Sequence, residues 1–122
     1  MTSLRIAVAD DEPDIREYFG KILPRLGHTV VVSATSGEEL VEGCRRTRPD
    51  LVITDIKMPG MSGLDAAVQL RAELDLAIIV VSGYADRVKR AGRAPVHVDA
   101  YLLKPIKRTD LETAILAATQ PR

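Results

Sequence analysis

Five short apolar runs recur along the chain, separated by segments whose apolar residues return at helical spacing. Residues 4–9, 29–34, 51–54, 76–81 and 100–103 are dominated by Val, Ile, Leu and Ala and read as strands. Strands alternating with helices imply parallel βαβ units with right-handed crossovers. Runs this continuously apolar imply a sheet covered on both faces, with helices above and below it. Few other architectures accept such a pattern.

The helical segments carry their own boundary signals. Pro13 opens the first, where a missing N–H costs little, and Ile15, Tyr18, Phe19, Ile22 and Leu26 follow at helical spacing. Pro24 predicts a short or distorted last turn, and Gly27 a stop. Ser36 with Glu39 is a capping-box pattern opening the second helix. Leu40, Val41 and Cys44 form its apolar face, Arg45, Arg46 and Arg48 suit its C-terminal end, and Pro49 closes it. Met58-Pro59-Gly60 reads as a type II turn. A third helix from about Gly63 carries Leu64, Ala67, Val68 and Leu74, and a basic helix is expected over Tyr84–Arg93. Thr109 with Glu112 is a second capping-box pattern, ahead of a stripe of Leu111, Ala114, Ile115 and Ala118.

A length of 122 residues sets one domain, spanning 1–122. With one Phe, three Tyr and no Trp, the core must be aliphatic. Zero formal net charge argues against direct nucleic-acid binding by this domain, which would favour a basic surface. Cys44 stands alone, so no internal disulfide can form, and it reads as a small apolar helix residue. The longest apolar run, Leu76 to Val81, is far too short to span a bilayer. Asp10, Asp11 and Glu12 interrupt any signal-peptide core. No membrane association and a cytoplasmic location are expected. His28 and His97 lack metal-ligand spacing, and neither is placed to donate a phosphoryl group from within the chain.

The polar residues that end the strands are the chemically informative ones. Asp10 and Asp11 follow the first, Asp55 the third, Ser82 the fourth and Lys104 the fifth. In an open parallel sheet, ligands bind beyond the carboxyl ends of the strands, and a flavodoxin-like order 2-1-3-4-5 puts the switch point between strands one and three. That crevice would gather Asp10, Asp11 and Asp55. Two carboxylates about 4 Å apart repel by roughly 4 kcal/mol at an effective dielectric of 20, so the cluster requires a cation or raised pKa values. An all-oxygen ligand set suits Mg²⁺. Asp55 can then attack phosphorus and form an acyl phosphate, with Lys104 supplying charge and the Ser82 hydroxyl a hydrogen bond. Singly, each residue has a plainer role: an acidic residue after a strand caps a helix, a serine makes a turn, a lysine is a solvated charge. Jointly and in this order they are hard to explain that way.

The chain resembles bacterial response-regulator receiver domains over essentially its whole length. The resemblance rests on the Asp10-Asp11 pair, Asp55 within Asp-Ile-Lys-Met-Pro-Gly-Met-Ser-Gly, Ser82 within Val-Ser-Gly-Tyr, and Lys104-Pro105. It implies a (βα)5 fold in which Asp55 accepts a phosphoryl group from the phosphohistidine of a histidine kinase or histidine phosphotransfer protein. It implies Mg²⁺ held by Asp10, Asp11, Asp55 and the backbone carbonyl of Lys57. It makes Ser82 the switch hydroxyl, Tyr101 the switch aromatic, Lys104 the phosphoryl contact and its bond to Pro105 cis. The surface of helix four, strand five and helix five would then change and address a downstream protein target or output domain, with a phosphorylation-dependent homodimer as a further outcome. Such a protein is a signalling phosphoacceptor, catalysing only its own phosphotransfer and autodephosphorylation.

Two features are particular to this chain. Where the family has an Ala-Gly-Ala-type stretch, it reads Arg93-Ala94-Pro95-Val96-His97-Val98-Asp99, and Pro95 should end or kink helix four. The same face is basic, with Arg87, Lys89, Arg90, Arg93, Lys107 and Arg108, either a solvated surface or a docking patch for an acidic partner. Lys57 and Tyr84 flank the site and are expected to tune the phosphoryl lifetime. Two other functions compete: a receiver cut from a longer transcriptional regulator, and a small Mg²⁺-dependent phosphohydrolase with an aspartyl-phosphate intermediate. Against the last, haloacid-dehalogenase-like enzymes want Asp-x-Asp after strand one, whereas Asp10 and Asp11 are adjacent.

Overall fold

The computed structural model describes residues 3–83 and 98–120. Its elements run β1 (Arg5–Ala9), α1 (Pro13–Arg25), β2 (Thr29–Ala34), α2 (Gly37–Thr47), β3 (Leu51–Asp55), α3 (Gly63–Glu73), β4 (Ala77–Ser82), β5 (Ala100–Leu103) and a C-terminal helix (Arg108–Ala118). The five strands form one parallel sheet in the order β2-β1-β3-β4-β5. This is the flavodoxin-like order expected from the sequence. The helix expected over Tyr84–Arg93, the effect of Pro95, the Arg87, Lys89, Arg90 and Arg93 patch, and His97 lie outside the described residues.

Strand side chains alternate between two aliphatic cores, as a period of two requires. Ile6, Val8, Leu51, Ile53, Ile79 and Val81 pack with Phe19, Ile22 and Leu23 of α1 and with Leu111 and Ile115 of the C-terminal helix. Ala7, Ala9, Val52, Ile78 and Val80 face the other way, onto Leu40, Val41 and Cys44 of α2 and Ala66, Ala67 and Leu70 of α3. Helices therefore cover both faces. Cys44 is fully buried and its thiol is pushed up to about 12 by burial, as fits a packing residue.

Several local expectations hold. Pro13 sits in the first turn of α1, and Gly27 takes φ +92° just past its end. Gly60 takes φ +74°, as the third position of a type II turn requires. Leu111, Ala114, Ile115 and Ala118 are the buried residues of the C-terminal helix. His28 is half-buried beside the edge strand β2, where its Nδ1 accepts the Leu4 N–H at 3.1 Å.

The last turn of α1 is distorted, as Pro24 predicts: the helix ends at Arg25, and the Leu26 and Gly27 amides reach the Leu23 and Pro24 carbonyls three residues back, at 3.1 and 3.0 Å. Three details differ. Ser36 does cap α2, accepting from the Glu39 amide at 3.2 Å, but the Glu39 carboxylate reaches back to the amide and hydroxyl of Thr35. The second capping box does not form: Lys107 is the N-cap, Thr109 lies inside the helix, and Glu112 instead pairs with Arg108 at 2.9 Å. In α3, Leu64, Ala67 and Leu74 pack on the core as expected, together with Ala66 and Leu70, but Val68 is 52% exposed. That helix begins at Gly63, close against the backbone of Asp55 at the end of β3.

Candidate functional site

Sheet register brings the strand ends level. Ala9 is paired with Thr54, Asp55 with Val81, and Ser82 with Leu103. Asp55 and Ser82 are thus the last residues of β3 and β4, and Asp10 and Lys104 the first beyond β1 and β5. The Asp10 amide donates to the Ala34 carbonyl and the Lys104 amide to the Ser82 carbonyl, both at 3.0 Å. Asp10 (0% exposed), Asp55 (6%) and Ser82 (1%) are, with Thr54, buried polar groups at this end of the sheet, and Asp11 is exposed.

One carboxylate oxygen each from Asp10, Asp11 and Asp55 lie within 4.8 Å of one another. The Lys104 ammonium sits among the acids, 3.3 Å from Asp10 Oδ2, 3.3 Å from Asp55 Oδ2 and 3.2 Å from Glu12 Oε1. Backbone amides orient the other oxygens. Asp10 Oδ1 accepts the Glu12 N–H at 2.9 Å, and Asp55 Oδ1 the Ile56 N–H at 2.8 Å. Arg16 holds the Asp10 carbonyl at 2.8 Å. The bond from Lys104 to Pro105 is cis.

One ammonium cannot neutralise these carboxylates. Burial, then the charge of Asp10, raises Asp55 to about 6, against the opposing pull of Lys104. Burial also raises Asp10, although the Glu12 amide and Lys104 work the other way. Burial disfavours the Lys104 charge, but Asp55 and Asp10 outweigh it and hold its pKa above the ordinary value. Asp10 Oδ2 is buried, and the Lys104 ammonium meets it at 3.3 Å. Three clustered carboxylates facing a single ammonium among the described residues form an all-oxygen donor set that could hold a hard divalent cation.

The structure thus brings together Asp10, Asp11, Asp55 and Lys104, and joins Ser82 to Lys104 through the backbone. Lys57 is exposed, two residues beyond Asp55. Tyr101 is 41% exposed on β5, on the side of the strand opposite buried Leu102. Tyr84 lies outside the described residues. Sequence reasoning missed Glu12, read only as a residue that interrupts an apolar segment. Its place directly after two acids at a strand end was the available signal. Sequence reasoning placed Gly63 at the start of the third helix and in the motif after Asp55 but not its part in the site: its amide closes the loop onto the Ile56 carbonyl at 2.8 Å, and its missing side chain leaves room for the Asp55 carbonyl.

Comparison with known proteins gives one consistent family. Residues 6–116 match the response regulator receiver domain. The transcriptional regulatory protein PdtaR of Mycobacterium tuberculosis is 38% identical over 113 residues, covering 91% of this chain and 54% of that protein. The DNA-binding response regulator MtrA of Mycolicibacterium smegmatis is 32% identical, covering 93% of this chain and 49% of MtrA. The chain spans about half the length of the curated relatives it matches. Among solved structures, the receiver domain of AraT from Geobacillus stearothermophilus superposes with a TM-score of 0.83 at 31% identity, covering 96% of this chain and 94% of that one. The receiver domain of the putative response regulator NarL from M. tuberculosis gives 0.81 at 27% identity, with all of both chains covered.

Proposed function

The chain belongs to the response-regulator receiver family, and we propose that Asp55 is its phosphoacceptor, in one receiver domain formed by residues 1–122. The observation that carries this reading is the setting of Asp55. It is a buried carboxylate at the switch point of the sheet, with one oxygen fixed by the Ile56 amide and the other under the Lys104 ammonium.

Asp55 attacks the phosphorus of a phosphohistidine on a histidine kinase or histidine phosphotransfer protein. The new P–O bond makes an acyl phosphate as the P–N bond breaks and the imidazole leaves. Asp10, Asp11, Asp55 and the Lys57 backbone carbonyl would hold Mg²⁺, which when bound neutralises charge on the phosphoryl oxygens. Lys104 pairs with one of those oxygens, which requires it to release an acid it now contacts. The Ser82 hydroxyl donates to another. The phosphoryl group adds a charge of about −1.5 to −2 at this end of the sheet. Ser82 and then Tyr101 respond, and the face that includes β5 and the C-terminal helix changes. Lys57 and Tyr84, each two residues past a strand-ending site residue in sequence, set how long the acyl phosphate survives. The signal passes to a downstream protein or an output domain, in the cytoplasm; that several relatives are named as transcriptional regulators and are twice as long supports an output domain as the target.

Intact-protein mass after incubation with acetyl phosphate and Mg²⁺ tests the acceptor. A gain of about 80 Da, one phosphoryl group, is expected in the wild type and not in Asp55→Ala. An equal gain in both proteins would move the acceptor elsewhere. No gain in either, together with no binding of beryllofluoride, would reject a phosphate-controlled switch.

A further inference from the structure

We propose that Glu38 is a positioning residue for the site, latching the loop that carries Lys57 onto the first turn of α2. The inference rests on the reading of the Lys57 carbonyl as a metal ligand. The loop runs from Ile56 to Ser62 between Asp55 and α3, so it decides where that carbonyl points.

The loop is fastened at three places. At its base, the Gly63 amide donates to the Ile56 carbonyl at 2.8 Å. In its middle, the Met58 side chain is buried in the core cluster that contains Leu40 of α2. At its far limb it is held by α2 through a two-way pair of hydrogen bonds. The Gly37 amide donates to the Met61 carbonyl at 3.1 Å, and the Met61 amide donates to both Glu38 carboxylate oxygens, at 3.1 and 3.2 Å. The approach is close enough that a Cβ on Gly37 would overlap the Met61 carbonyl, and a Cβ on Gly60 would lie 2.7 Å from Glu38 Oε2. Glu38 sits in the first turn of α2, where the helix's positive end favours its charge.

Lys57 stands between the first two anchors, and the third keeps the return limb from swinging. Removing the Glu38 carboxylate leaves the Met61 amide to solvent and loosens that limb, which keeps the Gly37–Met61 backbone bond, while the two cores, the helix cap at Ser36 and the acids themselves are untouched. The cost therefore falls on how well the loop presents its carbonyl.

The test is a Mg²⁺ titration followed by amide NMR on the wild type, Glu38→Ala, Glu38→Gln and, as a control one turn along α2, Glu42→Ala. Glu38→Ala is expected to weaken Mg²⁺ by about tenfold, the lower end of the effect of residues that orient metal ligands. It should also speed hydrogen exchange at the Met61 amide. Glu38→Gln keeps an acceptor oxygen and should recover most of the affinity, and Glu42→Ala should match the wild type. Unchanged Mg²⁺ affinity in Glu38→Ala, with a wild type that binds, overturns the latch and leaves the function standing. Loss in Glu38→Ala without recovery in Glu38→Gln also overturns it, since charge alone would then account for the effect. A wild type that binds no Mg²⁺ overturns both.

Discussion

At Asp55 the fold holds a carboxyl group in a setting that disfavours its own ionisation. Its pKa rises from 3.8 to about 6, so the folded chain binds this proton more tightly than the unfolded chain does. That contribution to stability is fully present below about pH 3.8 and is lost as pH rises through about 6. At pH 7 without Mg²⁺, Asp55→Asn should therefore raise the melting temperature, by about 4 °C for each kcal/mol of relieved repulsion in a domain of this size. The advantage should vanish near pH 4, where Asp55 is protonated. Melting curves of both proteins across that range, in chelator, check it; a mutant no more stable at pH 7 would mean that Lys104 already compensates the acids. Five of the residues meeting here were legible one by one, because each ends an apolar run. Glu12 was not. Its contact with Lys104 joins residues 92 apart in sequence, a separation no local pattern encodes.

Elements were legible where backbone chemistry alone decides them and less so where a neighbour decides. Pro13, Gly27, Ser36 and Gly60 mark boundaries through φ restriction or a side-chain cap, and each acts where it was expected to. Thr109 carries the same Ser/Thr-x-x-Glu pattern as Ser36 but caps nothing, since Arg108 engages Glu112 and the helix starts ahead of the threonine. In α3, Val68 alone of the expected apolar residues faces outward, in a helix whose first turn Gly63 seats on the Asp55 carbonyl. Two glycines should accordingly behave in opposite ways. Gly63→Ala forces a Cβ into that carbonyl and should cost about 2–3 kcal/mol, as overpacking does. Gly20 lies mid-helix in α1 with nothing near its missing side chain, so Gly20→Ala should stabilise by about 0.5–1 kcal/mol. Urea denaturation measures both, and a stabilising Gly63→Ala would show that α3 can shift away from β3.

At the scale of the molecule, the acids and the cores oppose one another. Two aliphatic layers close the sheet from both sides, and one end of that sheet concentrates negative charge. A ligand that binds only the folded chain stabilises it by mass action. Mg²⁺ at a hundred times its dissociation constant should add about 2.7 kcal/mol, and Asp10→Asn should remove most of that gain. A melting temperature independent of Mg²⁺ in the wild type would argue against a specific metal site. The sequence by itself determined the alternation of strands and helices, the parallel two-faced sheet and the polar residue at each strand end, because periodicity and turn chemistry are local properties of the chain. Tertiary structure decided which acids share Lys104, how closely α3 sits on the end of β3 and how α2 holds the Ile56–Ser62 loop. Those depend on register and on contacts between segments far apart in sequence, where a shift of one residue would turn every side chain to the other face.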